Sequence, residues 1–487
     1  MQLNKSTFLD NMIGRQQEQA ELEALYESDR AEFVAVYGRR RVGKTFLIDE
    51  TFSGRITFRH AGLSPVEKRD NILSEQLKHF YHSLIAHGMK KSKCPSSWLE
   101  AFFMLQMYLM SIDDGTKQVV FLDELPWMDT PRSGFVTALE GFWNTWGCHR
   151  HNFMLVVCGS ATSWILDNLI NNHGGLYGRV TYEIKLSPFT LRETEEFFQS
   201  RNIKLSRYDI VQSYMMLGGI PYYLNYFQKG LSLAQNIDRM FFSAKASLRE
   251  EYDRLFSSVF NNPNEAKRIV KLLSTKHSGF TRQEILQKTG IADGGTASKI
   301  IKALQASDFV LRYVPFGAGK RDETYKLTDS FCLFYLRWVE GCDNMNPDFW
   351  MLSLNSQSVV SWRGVAFEEV CLAHIQQIKA ALGISGVSSV QSAWALRGDD
   401  ETEGTQIDLL INRKDNVVNM CEMKFYAEEF SVGKAYERKL AHRQIELSKM
   451  LNRRTVIHPV LITTYGLEYN EYSGSFLHTI IMDDLFK

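Results

Sequence analysis

The stretch from Phe33 to Glu50, FVAVYGRRRVGKTFLIDE, restricts what this chain can fold into more than any other. Phe33 to Tyr37 is an apolar run that reads as a buried strand. It feeds Gly38, three arginines and Gly43-Lys44-Thr45, which open an amphipathic helix. That spacing, G-x-x-x-x-G-K-T, is a phosphate-binding loop. Its glycines let the backbone curl until successive N–H groups and the helix N-terminus face an anion. Gly38, Arg41 and Gly43 then line a nucleotide, Lys44 reaches the β and γ phosphates, and the Thr45 hydroxyl ligates Mg²⁺.

A second stretch, Gln118 to Met128 (QVVFLDELPWM), supplies what such a loop needs. Its apolar residues make a buried parallel strand whose C-terminal end delivers Asp123 and Glu124, and ligands bind at that edge of such sheets. Asp123 is placed to hold Mg²⁺ through water and Glu124 to polarise the water that attacks the γ phosphate. A third apolar run, Phe153 to Cys158, ends in Gly159-Ser160-Ala161-Thr162. Ser160 is a candidate γ-phosphate sensor, with a helix N-cap as the alternative. Arg179, after the glycine-rich Gly174-Gly175-Leu176-Tyr177-Gly178 turn, is either an arginine finger, in cis or toward a neighbouring subunit, or a surface residue. Ahead of the loop, Ile13 and Gly14 precede a polar helix, Gln16 to Tyr26, either lining an adenine or forming an ordinary turn. From Thr190 to about Asn261 the pattern is helical, and Leu217-Gly218-Gly219-Ile220-Pro221 breaks it as a lid over a nucleotide base requires.

The length of 487 residues implies two to four domains. Lys plus Arg equal Asp plus Glu at 56 each, so the overall charge favours no class of partner. Seven scattered cysteines without C-x-x-C spacing fit reduced thiols, which points to the cytoplasm. The opening MQLNKSTFLD lacks a secretory pattern, and no apolar run approaches the ~18 residues of a membrane span, so no membrane partner is expected.

Asn264 to Ser330 reads as three helices and two strands around a Gly317-Ala318-Gly319-Lys320 turn, the layout of a winged helix-turn-helix. Its 12 Lys and Arg against 7 Asp and Glu, with Lys299 and Lys302 on the third helix, suit DNA or a protein partner. Asp343 to Asn355 reads as linker. Beyond it, Arg363 to Ala381 forms a helix bearing Glu368, on which His374 is a helix-face residue. Gln406 to Ile411 is a strand with Asp408, and Val417 to Phe425 a strand with Glu422 and Lys424 on one face. Asp, then Glu-x-Lys on the adjacent strand, is the layout of PD-(D/E)xK nucleases. Asp408 and Glu422 would hold Mg²⁺, Glu368 would add a carboxylate, and Lys424 would activate water. The alternative is an exposed ion pair on an edge strand.

With Gly14-Arg15, GRRRVGKT, FLDELPWM, CGSAT, LYGR, GGIPYYL, KLTDSF, WRGVAFEEVC, TQIDLL, CEMKF and the terminal DDLF in this order, the chain resembles the archaeal-type ATPase family, relatives of AAA+ and STAND NTPases. The resemblance implies adenine contact near Ile13, Gly14 and Pro221 and a sensor role for Ser160, although Ala161 stands where a second serine is common. It implies an α/β chain of five parts. These are a P-loop NTPase core (1–195), a helical lid (196–262), a winged helix (263–330), a linker helix (331–355) and a restriction-endonuclease-like domain (356–487). The expected function is that of an ATP- and Mg²⁺-dependent ATPase coupled to DNA handling, able to oligomerise. The alternative is a nucleotide-switched DNA- or protein-binding module with an inactive nuclease fold.

Overall fold

A computed structural model describes residues 12–64, 71–171, 174–260, 262–342, 346–396 and 404–487. The opening decapeptide, on which the expectation of no leader rests, lies outside them. The chain divides into two compact units. The first runs to Pro188 and takes in Asp253–Pro263 and Lys299–Asp308. The second holds Phe189–Tyr252, Asn264–Ser298 and Phe309–Lys487.

The first unit is built on a five-stranded sheet of β1 (Glu32–Tyr37), β2 (Ile56–Ala61), β3 (Gln118–Asp123), β4 (Phe153–Gly159) and β5 (Tyr182–Lys185), in the order β2-β3-β4-β1-β5. All four pairings are parallel. β1, β3 and β4 are buried along their whole lengths, as strands of near-continuous apolar sequence covered on both faces must be. One cover is aromatic: Trp98 and Phe102 of the Trp98–Ser111 helix meet Phe135 and Phe142 of the Phe135–Thr145 helix, with ring centroids 4.9–5.9 Å apart. The polar helix read at Gln16–Tyr26 also forms.

The second unit contains two sheets. In chain order come the Pro263–Leu273 helix, β6 (Phe280–Thr281), the Arg282–Thr289 helix, β7 (Val310–Tyr313) and β8 (Thr324–Leu327), with β6-β8-β7 forming an antiparallel sheet; the Gly295–Ala306 helix that precedes β7 belongs to the second unit only as far as Ser298. The two-residue β6 is too short to leave a periodic signal. Beyond come β9 (Ser389–Leu396), β10 (Thr405–Arg413), β11 (Val417–Lys424), β12 (Val456–Thr463) and β13 (His478–Ile481), in the order β13-β12-β11-β10-β9. β9, β10 and β11 form an antiparallel meander. β11, β12 and β13 are parallel, and the Lys434–Lys449 helix makes the β11–β12 crossover. Within the stretch read as linker, Phe349–Ser353 is helical: Trp350 is fully buried, and Asp238 accepts from the Trp350 and Met351 amides at 2.6 and 3.0 Å. That buried cap, remote in sequence, is what holds so short a helix.

The Gly218-Gly219 break approaches protein. At φ +64, a Cβ on Gly219 would lie 2.3 Å from the Phe189 carbonyl oxygen and 2.5 Å from the Tyr214 ring. His374, read on the broad apolar face of the Arg363 to Ala381 helix, is completely buried where the Gln357–Ala373 helix ends. Its Nδ1 donates to the Val370 carbonyl at 2.8 Å, and its Nε2 accepts from the Leu191 amide at 2.9 Å. The ring thereby ties this helix to the start of the Leu191–Ser200 helix.

Burial pushes the His374 imidazole down to about 4 from its ordinary 6.5, against the opposing pull of the Val370 carbonyl and Glu193. The unfolded chain takes up this proton near pH 6.5, whereas the folded state does so only near 4. Stability from this group is therefore complete above the upper value and is lost as pH falls toward the lower one, by up to ~1.4 kcal/mol per pH unit. His374→Gln should flatten the fall in thermal midpoint between neutral and mildly acidic buffer. An unaltered fall would assign it to other groups.

Candidate nucleotide and metal sites

The parallel strands bring three loops to one edge of the first sheet. After β1 the chain turns through Gly38 (φ +141), Arg41 (φ +76) and Gly43 (φ +94) into the Lys44–Thr51 helix. At Gly38 there is no room for a side chain, since a Cβ would lie 2.3 Å from the Leu186 carbonyl oxygen. Arg15, itself left-handed at φ +66, is buried and donates to the carbonyls of Ser187 at 2.5 Å and Val42 at 3.5 Å, bracing the loop. Gly14 beside it is also left-handed at φ +62, and Ile13 is half-buried. The Arg40 guanidinium sits 5.8 Å from the centre of the Trp127 ring.

Lys44 is 6% exposed and donates to the carbonyls of Gly38 at 3.1 Å and Arg39 at 3.0 Å and to Ser160 Oγ at 3.3 Å. Burial lowers its ammonium from the ordinary value, and the Glu124 and Asp123 carboxylates oppose that shift. Thr45 Oγ1 donates to Asp123 Oδ2 at 2.9 Å. Asp123 Oδ1 accepts from the Glu124 amide at 2.8 Å and from the Cys158 thiol at 2.6 Å. Burial, then the neighbouring Asp123 carboxylate, pushes the Cys158 thiol well up, so it stays a donor. Glu124 adopts φ +45, a left-handed conformation unusual for a residue with a side chain. Its two carboxylate oxygens accept from Ser160, one from Oγ at 2.9 Å and the other from the amide at 3.1 Å.

Ser160 thus lies between Lys44 and Glu124. The following short helix starts at Thr162 after Ala161, so Ser160 is not its N-cap. Arg179 is exposed on its turn. Pro221 heads the Pro221–Leu224 helix of the second unit. Thr45 and Asp123 offer oxygens suited to a hard divalent cation. The buried Lys44 ammonium, held only by carbonyls and a hydroxyl, suits a phosphate. Cys158 was missed from sequence because a lone thiol beside a motif has no spacing to mark it.

In the second unit, a bulge between Ile407 and Leu410 interrupts the pairing of β10 with β9. Strict alternation would put these two residues on opposite faces, yet both join one apolar cluster with Met420, Leu440 and Leu461. Asp408 lies between Ile407 and Leu410, within the bulge. One of its oxygens lies within 4.8 Å of ligand atoms of Glu368 and His277. Glu422 stays on the cluster side, where Tyr436 Oη donates to it at 2.7 Å, Arg443 forms an ion pair with it and Lys424 Nζ lies 3.8 Å away. Against burial, which lowers it, the Glu422 carboxylate raises the Arg443 guanidinium, with Asp408 contributing. Of the four residues read as one constellation, Glu368 and Asp408 are brought together, and Glu422 and Lys424 form a second pair. Tyr436 and Arg443 were legible in principle: seven residues apart, they share a helix face. On the third helix, Lys302 is ion-paired with Asp167 and Lys299 is exposed.

The loop, the carboxylate pair and the parallel sheet define an ATPase-type P-loop domain. Residues 12–227 match the family model described as an ATPase domain predominantly from Archaea. The chain is 26% identical over 338 residues to an uncharacterized protein of Methanocaldococcus jannaschii, a match covering 67% of this chain and 68% of that protein. Among solved structures it is similar to a Walker-type ATPase of Pyrococcus abyssi, with 16% identity, coverage of 67% of this chain and 97% of that one, and a TM-score of 0.47. It is also similar to the ORC2 protein of Aeropyrum pernix in ADPNP–ADP complexes, with 12% identity, coverage of 72% and 98%, and a TM-score of 0.40. No helix among the described residues is long and apolar enough to cross a membrane.

Gly38→Ala should cost on the order of 1–3 kcal/mol, because the added methyl meets a backbone carbonyl and the backbone is held at positive φ. Chemical denaturation monitored by tryptophan fluorescence measures it. Unchanged stability would mean that the loop is free to rearrange.

Proposed function

We propose that the protein is a Mg²⁺-dependent ATPase that couples nucleotide turnover to DNA handling by its C-terminal sheet domain. The observation that carries the ATPase reading is the convergence of Lys44, Thr45, Asp123, Glu124 and Ser160, including the 2.9 Å contact between Thr45 and Asp123. Mg²⁺ held by Thr45 and, through water, by Asp123 would neutralise charge on the β and γ phosphates. Lys44 exchanges the Gly38 and Arg39 carbonyls for phosphate oxygens. As Lys44 turns, Ser160 becomes free to donate to the γ phosphate and releases Glu124. The freed carboxylate orients the attacking water and accepts its proton. Ile13 and Gly14 contact the adenine in this reading. The exposed Arg179 is available to the nucleotide of its own chain or of a neighbouring subunit.

The C-terminal reading is supported by the β9–β10–β11 meander with its helical crossover to β12, a restriction-endonuclease-like order, and by Glu422 and Lys424 side by side. The three helices and the β6-β8-β7 sheet support a winged helix. One observation favours a second reading, a nucleotide-switched binding module without cleavage: Glu422 is 5% exposed and already held by Arg443 and Tyr436.

Lys44→Ala should abolish ATP binding in isothermal titration, while Glu124→Gln should bind ATP and lower turnover by 10²-fold or more, the range of lost general-base catalysis. Wild-type affinity in Lys44→Ala would move the nucleotide elsewhere. For the second unit, divalent-metal-dependent cleavage of DNA is expected, and Asp408→Ala and Lys424→Ala should each remove it. No cleavage of single- or double-stranded DNA, together with DNA affinity that falls steeply with salt, would select the binding module.

A further inference from the structure

Two cavities flank His277, which lies in the turn between the Pro263–Leu273 helix and β6. One, of about 60 Å³, is lined by His277, Lys326, Ser392 and Asp408. The other, of about 120 Å³, is lined by His277, Ser274, Arg337 and Glu369. Between them, His277 Nε2 contacts Glu368, and ligand atoms of His277, Glu368 and Asp408 lie within 4.8 Å of one another. His277 Nδ1 faces Glu369 Oε1 at 3.6 Å. Glu369 is 5% exposed, and neither of its carboxylate oxygens has a hydrogen-bond partner meeting normal geometry, although Lys326 Nζ lies 2.7 Å from Oε1.

Glu368, Glu369 and Asp408 bring three carboxylates to a half-buried pocket beside the Lys326 ammonium, a carboxylate-rich set that a divalent cation would neutralise. That ammonium also lies 3.3 Å from His277 Nε2, and with the ring proton on Nδ1, facing Glu369, the imidazole presents a lone pair there. A lone pair directed at a Glu368 oxygen is stable only with a proton or a cation between them. An imidazole whose far nitrogen faces a buried carboxylate, and whose near nitrogen converges with two further carboxylates, is arranged as histidines that ligate metals are.

We propose that His277, Glu368 and Asp408 bind a divalent first-row transition ion of the Mn²⁺ class, with Glu369 as the positioning residue that orients the imidazole. One nitrogen and two carboxylate ligands favour such an ion over Mg²⁺, which prefers oxygen and gives up water reluctantly. The site shares Glu368 and Asp408 with the nuclease-like reading but draws its third ligand from the preceding helical module, and it requires no cleavage activity. Bound metal would link that module to the C-terminal sheet.

The test uses the full chain, stripped with chelator and free of nucleotide, titrated with Mn²⁺ alone and, separately, with Mg²⁺ as competitor. Electron spin-echo spectroscopy then reads nitrogen coupling to the bound Mn²⁺. We expect one Mn²⁺ per chain, an imidazole nitrogen signal and weak competition by Mg²⁺. His277→Ala should abolish the nitrogen signal and weaken Mn²⁺ by at least about tenfold, and Glu369→Gln should weaken it within the roughly 10–100-fold range of lost orienting partners. Glu422→Gln should leave it unchanged. Wild-type affinity in both His277→Ala and Glu369→Gln overturns the site. So does loss of binding in Glu422→Gln alone, which would put the metal on the β10–β11 pair and leave the nuclease-like reading standing. If His277→Ala fails to fold, Glu369→Gln and the nitrogen signal of the wild type decide.

Discussion

The candidate nucleotide site depends on the parallel alignment of β1, β3 and β4. Because these strands run in one direction and in register, Val36 beside Cys158 and Phe121 beside Val156, their C-terminal ends open on one edge. Residues 78 and 116 positions apart in the chain then come within hydrogen-bonding distance, Thr45 with Asp123 and Lys44 with Ser160. Burial sets the energetics there. Asp123 is 7% exposed and its carboxylate is met by three donors, while Lys44 is met by two carbonyls and a hydroxyl. Charges so placed cannot go without partners, and an incoming anion and cation can replace neutral ones.

The second unit turns on different physics. Apolar packing positions its sheets, but buried polar groups decide how elements meet: His374 joins two helices through both ring nitrogens, and Asp238 caps a helix more than a hundred residues away. The bulge in β10 has a larger consequence. By placing Ile407 and Leu410 in one apolar cluster, it breaks strict alternation around Asp408, which lies near Glu368 and His277 and also acts on Arg443. Glu422 pairs with Arg443 and Lys424, and the module that carries His277 and Lys326 contributes to the group around Asp408.

Much of this was legible because it is local. An apolar run with a glycine spacing identifies a strand, a loop and a helix, and the polar stretch read as a helix at Gln16–Tyr26 forms with those ends. The third of the helices read within Asn264 to Ser330 forms over Gly295–Ala306. What escaped was short or made by partners distant in sequence. β6 spans two residues, the Phe349–Ser353 helix exists through Asp238 and the burial of Trp350, and His277 sits in a turn with no pattern around it.

By itself, then, the order of residues determined that a phosphate-binding loop, a strand-end carboxylate pair and a Glu-x-Lys strand exist, since each is encoded within a few consecutive positions. Tertiary structure alone decided which of these groups share a site. A strand bulge leaves no mark in composition or period, yet one extra residue breaks the strict alternation of faces along a strand. The hydrogen-bond partners of Glu124, Glu422 and His277 likewise depend on how separate elements pack, which no local pattern encodes.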